Sequence, residues 1–189
     1  MIKMIPIILA SESPRRRELI RYITDSFEVV PSGFDESSVT ADPEKLPALL
    51  SHGKASDVYA RFPGRCVVGA DTVVILGDTV FGKPRDRSEA QYMLSKLSGS
   101  VHKVITGYTV LFNGYDITES VVTDVVFRTL TDAEICDYVN SGEADGKAGA
   151  YAVQGKGALF VSEIHGDFYN VVGLPVASLA QTLRKIGAV

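Results

Sequence analysis

IILASESPRRREL, residues 7–19, is the stretch from which the fold of this chain can be worked out. Its apolar start predicts a strand over residues 5–9, followed by small polar residues. Ser13 is placed to cap a helix, and Pro14 suits the first helical position, so we expect a helix over residues 14–23. The stretch therefore predicts a strand that passes through a short polar turn into a helix.

Three arginines, residues 15–17, fill the first turn of that helix. Cations are disfavoured at a helix N-terminus, because the backbone dipole is already positive there. Free N–H groups at the same helix start can bind an anion. Two interpretations stay open from these residues alone: a phosphate site, or a solvated basic turn that makes surface ion pairs.

Composition indicates one ordinary globular domain, which we place over residues 1–189. The chain is 46% hydrophobic and 22% charged, and its length suits a single sizeable core. A formal net charge of −4 argues against a broad nucleic-acid-binding face, although local cationic groups can still bind a polyanion.

Two cysteines, Cys66 and Cys136, lie far apart and predict neither a disulfide framework nor a zinc site. We expect both in the core or half-buried. The N-terminus lacks the pattern of a signal peptide, and no apolar stretch is long enough to cross a membrane. We therefore expect a cytoplasmic protein with no membrane partner.

Strands and helices alternate along the rest of the chain. Further strands are predicted over residues 27–31, 66–70, 72–76, 80–81, 101–112 and 117–130. Further helices are predicted over residues 46–60, 88–97, 131–140 and 175–186. Because long hairpins accompany the helices, the pattern favours an α/β fold with a partly antiparallel sheet over a purely doubly wound one.

Local signals mark several boundaries between these elements. Capping boxes are predicted at Ser88 with Gln91 and at Thr131 with Glu134. Two-residue turns are predicted at residues 77–78 and 113–114, and a hairpin around residues 165–166.

Asp71 lies in GADTVV (69–74), flanked on both sides by apolar strand. A charge there must be paired, metal-bound or protonated, because burying it bare is costly. One interpretation is a metal ligand or general base at the floor of a cleft. The other is a structural aspartate in a strand kink, bonded to backbone amides.

Three further sites carry weaker signals. Lys83, in GKPRD (82–86), either lies rigidly over a phosphate or is a solvated loop lysine. The adjacent acids Asp35 and Glu36 either supply a second metal carboxylate or are simply hydrated. Lys54, on a predicted helix, is uninformative by itself.

KAGAYAVQGKG (147–157) is the second concentrated signal. Its small residues allow close backbone approach to a ligand, and Gln154 offers both a donor and an acceptor for the edge of a base. Residues 142–147 do not form a phosphate-binding loop, because only three residues separate Gly142 from Gly146 and that motif needs four between its two glycines. The three histidines form no catalytic pattern and no G-x-S-x-G elbow is present, which argues against histidine or serine nucleophiles.

Together these segments resemble the Maf family of nucleoside triphosphate pyrophosphatases, and the match covers nearly the whole chain. The motifs that carry it are LASESPRRREL (9–19), Asp35-Glu36, Lys54-Ala55, GADTVV (69–74), GKPRD (82–86), SGSVHKVITG (98–107), FRTLTDAEI (127–135), KAGAYAVQGKG (147–157) and VVGLP (171–175). The serine–proline–double-arginine segment, the Ala-Asp-Thr centre and the Tyr-x-x-Gln-Gly segment resemble the dTTP/UTP-preferring branch rather than the branch acting on 7-methyl-GTP.

The resemblance implies a role for each matching side chain. Asp71 corresponds to the proton acceptor, and Glu36 with Asp71 to a pair that holds Mg²⁺ or Mn²⁺. Arg15, Thr72 and Gln154 are implied in the choice of substrate. Arg16, Lys54 and Lys83 are implied in holding the triphosphate. Ser11 is implied as a further substrate-binding residue.

The family fold implied is an elongated, bent mixed β-sheet flanked by helices, as in inosine triphosphatases, with two lobes around a deep cleft and often a homodimer. We expect the distant segments to meet in one pocket. The chain departs from the family at two positions: Gly53 stands where an acid precedes Lys54, and Gly146 where an acid precedes Lys147. Both positions are implied to orient the lysines.

The activity implied is hydrolysis of dTTP and UTP to the monophosphate and pyrophosphate, by metal-assisted attack of water at the α-phosphate. Two alternatives stay open. One is a nucleotide-binding regulator, linked to cell division, with little or no turnover, which Gly53 and Gly146 favour. The other is a pyrophosphatase for modified pyrimidine nucleotides, for which dTTP and UTP are only substitutes.

Overall fold

Strands and helices alternate through residues 6–189, the part of the chain described by a computed structural model. Within it the strands are β1 (Ile7–Ala10), β2 (Phe27–Val29), β3 (Cys66–Leu76), β4 (Thr79–Phe81), β5 (Val101–Phe112), β6 (Tyr115–Phe127) and β7 (Val161–His165). The helices are α1 (Pro14–Ile20), α2 (Leu46–Arg61), α3 (Arg87–Leu97), α4 (Asp132–Asn140), α5 (Phe168–Val172) and α6 (Val176–Lys185). Short 3₁₀ turns occupy Glu36–Ser38, Ala148–Ala150 and Lys156–Phe160.

These strands form one mixed sheet in the order β2-β1-β3-β5-β6-β7, with β4 paired to β3. Strand β1 runs parallel to both β2 and β3, whereas β4 is antiparallel to β3 and β7 is antiparallel to β6. All four residues of β1 are buried, as is typical of a parallel strand whose two faces are covered. The predicted α/β fold with a partly antiparallel sheet and flanking helices is confirmed.

The described residues divide into two compact units. The first holds the chain through Asp71 together with Thr106–Val121 and Gly173–Val189, and the second holds Thr72–Ile105 and Val122–Val172. The expected single domain over residues 1–189, its elongated bent shape and its deep cleft stay predictions. No helix within residues 6–189 combines the length and hydrophobicity of a membrane span.

In the first unit, α2 lies directly against the sheet because two strand residues have no side chain. A Cβ built on Gly69 of β3 would overlap the Ser51 carbonyl, and one built on Gly107 of β5 would overlap the Pro47 carbonyl. Ala55 and Val58 of α2 are buried in one apolar cluster with Ile8, Ala10, Val67 and Leu111. This close approach fixes the height of α2 above β3.

The core of the second unit contains a cluster of aromatic rings in edge-to-face contact. Phe127 of β6 packs against Tyr151, Phe160 and the imidazole of His102, and Tyr138 of α4 packs against Phe160. Edge-to-face pairs add about 0.5–1.5 kcal/mol beyond the burial of their area. The cluster therefore gives a rigid base to the chain around Tyr151.

Several boundaries match the sequence predictions and others correct them. Ser13 caps α1, and Thr131 forms the predicted capping box with Glu134 at α4. The capping box predicted at Ser88 is wrong, because the Asp86 side chain accepts from the backbone N–H of Glu89 and caps α3, which begins at Arg87, one residue before the predicted start.

The remaining corrections lie in strands and in the C-terminal third. Residues 66–70 and 72–76 form one continuous strand rather than two. The hairpin predicted around residues 165–166 is wrong, since β7 is followed by α5. Cys66 is buried as expected, but Cys136 is exposed on α4, against the prediction. The start of the first predicted strand, residue 5, lies outside the described residues.

Candidate active site

The start of α1 is organised by two serine hydroxyls. Ser13 Oγ accepts from the backbone N–H of Arg16 at 3.4 Å, and Ser11 Oγ accepts from the backbone N–H of Ser13 at 3.2 Å. Ser11 is itself buried at the end of β1. These bonds hold the strand-to-helix turn that the sequence predicted.

Arg16 turns its guanidinium inward from this turn. Its Nε donates to the carbonyl of Gly173 at 2.8 Å, and its Nη1 donates to Ser11 Oγ at 3.4 Å. The pKa of Arg16 is lowered overall, mainly by burial. The negative charges of Asp71 and Glu36 oppose this shift, and the positive charge of Arg15 adds to it. A guanidinium stays charged under such shifts, so the half-buried Arg16 is a fixed cation near two acids.

Asp71 is brought to Lys54 by the contact between α2 and β3. Gly69 and Asp71 lie on one face of β3 because strand side chains alternate, and Gly69 admits the backbone of α2. Lys54 Nζ donates to Asp71 Oδ1 at 2.7 Å, with only 13% and 11% of the two side chains exposed. Because β3 is uninterrupted, the alternative of an aspartate in a strand kink is not what the chain adopts.

The neighbouring acids Asp35 and Glu36 take different roles. Asp35 Oδ1 accepts from the backbone N–H and the hydroxyl of Ser37, at 3.0 and 2.7 Å, and so caps the 3₁₀ turn. Glu36 Oε1 instead lies 2.9 Å from Lys54 Nζ. One ammonium thus holds two carboxylates that come from distant parts of the sequence.

Gly53, one of the two departures from the family pattern, makes room for an aromatic ring. A Cβ built at Gly53 would overlap the ring of Phe34. Because Phe34 directly precedes Asp35 and Glu36, this ring fixes the segment that delivers Glu36 to Lys54. Gly53 therefore leaves room for the residue next to the 35–36 acids, while an orienting role for an acid at position 53 stays a prediction.

The donor set fits a magnesium-type cation. Among residues 6–189, no group of three or more histidine, cysteine, aspartate or glutamate side chains could hold a metal by itself. Mg²⁺, however, is usually bound through one or two carboxylates together with substrate phosphates and water. Glu36 and Asp71, joined at Lys54, are such a pair.

Thr72, Lys83 and Gln154 belong to the second unit. Thr72 is half-buried on the opposite face of β3 from Asp71, whereas Lys83 and Gln154 are exposed. Neither Lys83 nor Gln154 has a hydrogen-bond or ion-pair partner within the described part of the chain. Both are therefore polar groups that are available to a ligand.

The loop that follows β4 is tied to the segment before Gln154. The backbone N–H of Gly149 donates to the Gly82 carbonyl at 3.1 Å, next to Lys83. Gly149 has a φ of +68°, and a Cβ there would lie 3.0 Å from Val74. A glycine is required at this position by both conformation and space.

Two hydroxyls anchor the start of the segment that carries Gln154. Tyr151 Oη lies 2.9 Å from His102 Nε2, and the backbone N–H of Ala152 donates to Tyr138 Oη at 2.9 Å. Burial lowers the pKa of His102 to about 4 and raises that of Tyr151. The imidazole is thus a neutral structural partner, in agreement with the absence of a histidine catalytic pattern.

The first unit brings most of the predicted residues into one cluster. Its members are Ser11, Arg16, Glu36, Lys54 and Asp71, with Arg15 in the same helical turn. Sequence reasoning missed the Gly173 carbonyl, which orients Arg16, and the Phe34 ring. The motif VVGLP (171–175) indicated the segment that contains Gly173, but no local pattern indicated the role of Phe34.

Comparison with known proteins places this geometry in context. The family model described as Maf-like protein matches residues 6–186. A dTTP/UTP pyrophosphatase of Thermococcus gammatolerans is 47% identical over 181 residues, 96% of this chain and 96% of that protein. The protein of the same name from Carboxydothermus hydrogenoformans is 47% identical over 183 residues, 96% of this chain and 98% of that protein.

Two further similarities extend the comparison. A dTTP/UTP pyrophosphatase of Thermococcus onnurineus is 45% identical over 181 residues, 96% of this chain and 97% of that protein. Among solved structures, the Staphylococcus aureus Ham1 protein is similar with a TM-score of 0.46 and 13% identity, over 67% of this chain and 72% of that chain.

Proposed function

The chain belongs to the Maf family, and on that premise we propose that it is a nucleoside triphosphate pyrophosphatase that hydrolyses dTTP and UTP to the monophosphate and pyrophosphate. Three relatives of nearly the same length, at 45–47% identity, carry the name dTTP/UTP pyrophosphatase. The site residues that support the proposal stand at the family motifs.

One observation carries the proposal: the ammonium of Lys54 is shared by Glu36 and Asp71, and the half-buried Arg16 interacts electrostatically with both acids. Phosphoryl transfer needs little covalent chemistry from the protein and depends on positioning and on charge stabilisation. Cations that are held by acids, and that are largely withdrawn from water, suit that task.

The proposed roles follow from charge and position. Asp71 accepts a proton from the water that attacks the α-phosphate, which is general-base catalysis by a positioned carboxylate. The cations Arg15, Arg16, Lys54 and Lys83 bind the triphosphate and stabilise the negative charge of the departing pyrophosphate. Ser11 assists at the helix start, and Thr72 and Gln154 discriminate between bases.

A divalent cation, Mg²⁺ or Mn²⁺, belongs to the proposal, with Glu36 and Asp71 as its protein ligands. When bound to substrate phosphates, such an ion supplies Lewis-acid stabilisation of charge on the phosphoryl oxygens. A pyrimidine triphosphate is then the substrate partner. A cytoplasmic location and a homodimer stay predictions.

Product analysis tests this function. The purified protein is incubated with dTTP, UTP, CTP and dGTP, each with Mg²⁺, with Mn²⁺ or with EDTA, and pyrophosphate and monophosphate are quantified. The proposal predicts equal amounts of the two products, metal dependence, and highest kcat/KM for dTTP and UTP.

Two other results would redirect the proposal. Tight triphosphate binding with no metal-dependent product would identify a nucleotide-binding regulator instead. Much faster hydrolysis of triphosphates with modified pyrimidines, added to the same panel, would make dTTP and UTP substitutes for the true substrate.

A further inference from the structure

The segment that carries Gln154 has little regular structure to hold it. It lies between two 3₁₀ turns, Ala148–Ala150 and Lys156–Phe160, and folds through a turn in which the Gly155 N–H donates to the Ala152 carbonyl at 3.1 Å. The Gln154 side chain is exposed at the tip of this turn. The orientation of Gln154 therefore depends on the groups that fasten the two ends of the turn.

The leading end is fastened by the hydroxyls of Tyr151 and Tyr138 that were described above. The trailing end is fastened by one acid, Glu143, which lies just after α4. Glu143 Oε2 accepts from the backbone N–H of Lys156 at 3.1 Å. A carboxylate makes a stronger hydrogen bond to an amide than a neutral acceptor does.

The absence of a side chain at Gly155 leaves room for the carboxylate of Glu143 next to this turn. A Cβ at residue 155 would overlap Glu143 Oε1, although the backbone of Gly155, with φ −114° and ψ −145°, does not have the positive φ that favours glycine. The glycine is thus needed only while the Glu143 carboxylate stays in place. The space it leaves is filled by the carboxylate.

The second oxygen of Glu143 strengthens this interpretation. Glu143 Oε1 is buried and has no hydrogen-bond partner among the described residues. An unsatisfied buried acceptor costs free energy, so its presence in this turn needs a physical reason. The carboxylate is kept there although only one of its oxygens is bonded.

We propose that Glu143 is a positioning residue for base selection: by holding the backbone at Gly155 and Lys156, it aims Gln154 at the edge of the pyrimidine. The inference rests on the proposed function, and it adds a specificity-determining group outside the residues that contact the nucleotide. Because Glu143 acts through Gln154, its removal affects discrimination between bases and leaves the chemistry at the phosphate intact.

The experiment is a double-mutant cycle that is read as the ratio of kcat/KM for UTP to that for CTP. We expect Glu143→Ala to lower this ratio about tenfold through KM for UTP, the loss expected when one hydrogen-bonding group is misplaced, with kcat within about threefold. In a Gln154→Ala background, Glu143→Ala should change the ratio no further. Glu143→Gln, which retains the acceptor for Lys156, should restore the wild-type ratio to within about threefold.

Gly155→Ala gives an independent route to the same displacement. Its Cβ pushes the carboxylate away, so it should reproduce the effect of Glu143→Ala, and it keeps the proposal testable if the latter variant does not fold. An unchanged UTP/CTP ratio in folded Glu143→Ala or Gly155→Ala protein would overturn the inference. The inference would also be overturned if Glu143→Ala lowered the UTP/CTP ratio equally in the wild-type and the Gln154→Ala backgrounds. If wild-type protein releases no pyrophosphate from either substrate, the proposed function fails instead, and the two failures are distinguishable.

Discussion

Lys54 is the residue on which the electrostatics of the site depend. Its side chain is only 13% exposed, and its ammonium contacts Asp71 and Glu36 together, so the lysine is largely buried and paired with two acids. A buried charge that loses its only partner is strongly destabilising. Each acid can be replaced by its amide while the other acid still pairs with the lysine. The two acids can therefore be tested one at a time without leaving a buried, unpaired ammonium.

Asp71→Asn is the corresponding prediction. The amide is isosteric and its oxygen can still accept from Lys54, while Glu36 still contacts the lysine, so the thermal midpoint should stay close to that of the wild type. Loss of the proton acceptor should lower kcat for UTP by about 10²–10⁴. Steady-state pyrophosphate release, with Asp78→Asn in the exposed turn after β3 as the matched control, measures this. Turnover within about threefold of the wild type would remove Asp71 from the mechanism.

At single positions, the sequence predicted what depends on local chemistry. Ser13 was recognisable as a cap because a cap needs only its next three residues. Asp35 and Glu36 could not be told apart, since the choice depends on which of them reaches Lys54 from another segment. Glu143 went unnoticed because its partner, Lys156, lies 13 residues away across an irregular loop.

At the level of elements, α2 combines a packing function with delivery of Lys54. Gly69 lets its backbone approach β3, and Gly53 lets the Phe34 ring lie on its outer side. Alanine is normally better than glycine inside a helix by about 1 kcal/mol. The sign of a substitution at residue 53 therefore reports whether Phe34 occupies this position.

Gly53→Ala is predicted not to raise the free energy of unfolding, because the new Cβ must displace the Phe34 ring and the ring then loses its packing. In a Phe34→Ala background, the same substitution should raise the free energy of unfolding by about 1 kcal/mol. Urea unfolding of the four proteins measures both changes. Equal stabilisation in the two backgrounds would show that Phe34 does not rest on Gly53.

Element boundaries were predictable where one signal stood alone. Thr131 and Glu134 had no competitor and cap α4 as predicted. Asp86 and Ser88 are both good caps, and the choice of Asp86 is set by how the chain enters α3. Helix α5 was missed because its five residues are too few to show a helical period.

For the whole molecule, His102 couples stability to pH. Burial lowers its pKa in the folded protein from 6.5 to about 4. Between these values the unfolded chain binds more protons than the folded chain, so stability falls as pH is lowered through this window. The maximum loss from this group is about 3 kcal/mol, accumulated at up to about 1.4 kcal/mol per pH unit.

Urea unfolding of wild type and His102→Asn at pH 7 and pH 5 checks this coupling. The wild type should lose more stability between the two pH values than the variant, by about 1–2 kcal/mol. Parallel pH profiles would mean that His102 titrates normally in the folded state.

At this scale, the mixed sheet followed from alternating strand and helix patterns, whereas a division into two parts was implied only by the family resemblance. Each unit gathers segments that are far apart in sequence, such as Gly173–Val189 with the chain through Asp71. Periodicity reports which face of an element is buried and not against what it is buried. The Gly173 carbonyl that holds Arg16 is one such long-range contact.

The position of bond cleavage tests the central claim most directly. UTP is hydrolysed in ¹⁸O-labelled water with Mg²⁺ or Mn²⁺, and both products are examined by mass spectrometry. Attack of water at the α-phosphate predicts one labelled oxygen in the uridine monophosphate and none in the pyrophosphate. Label in the pyrophosphate, or release of uridine diphosphate and phosphate, would contradict it.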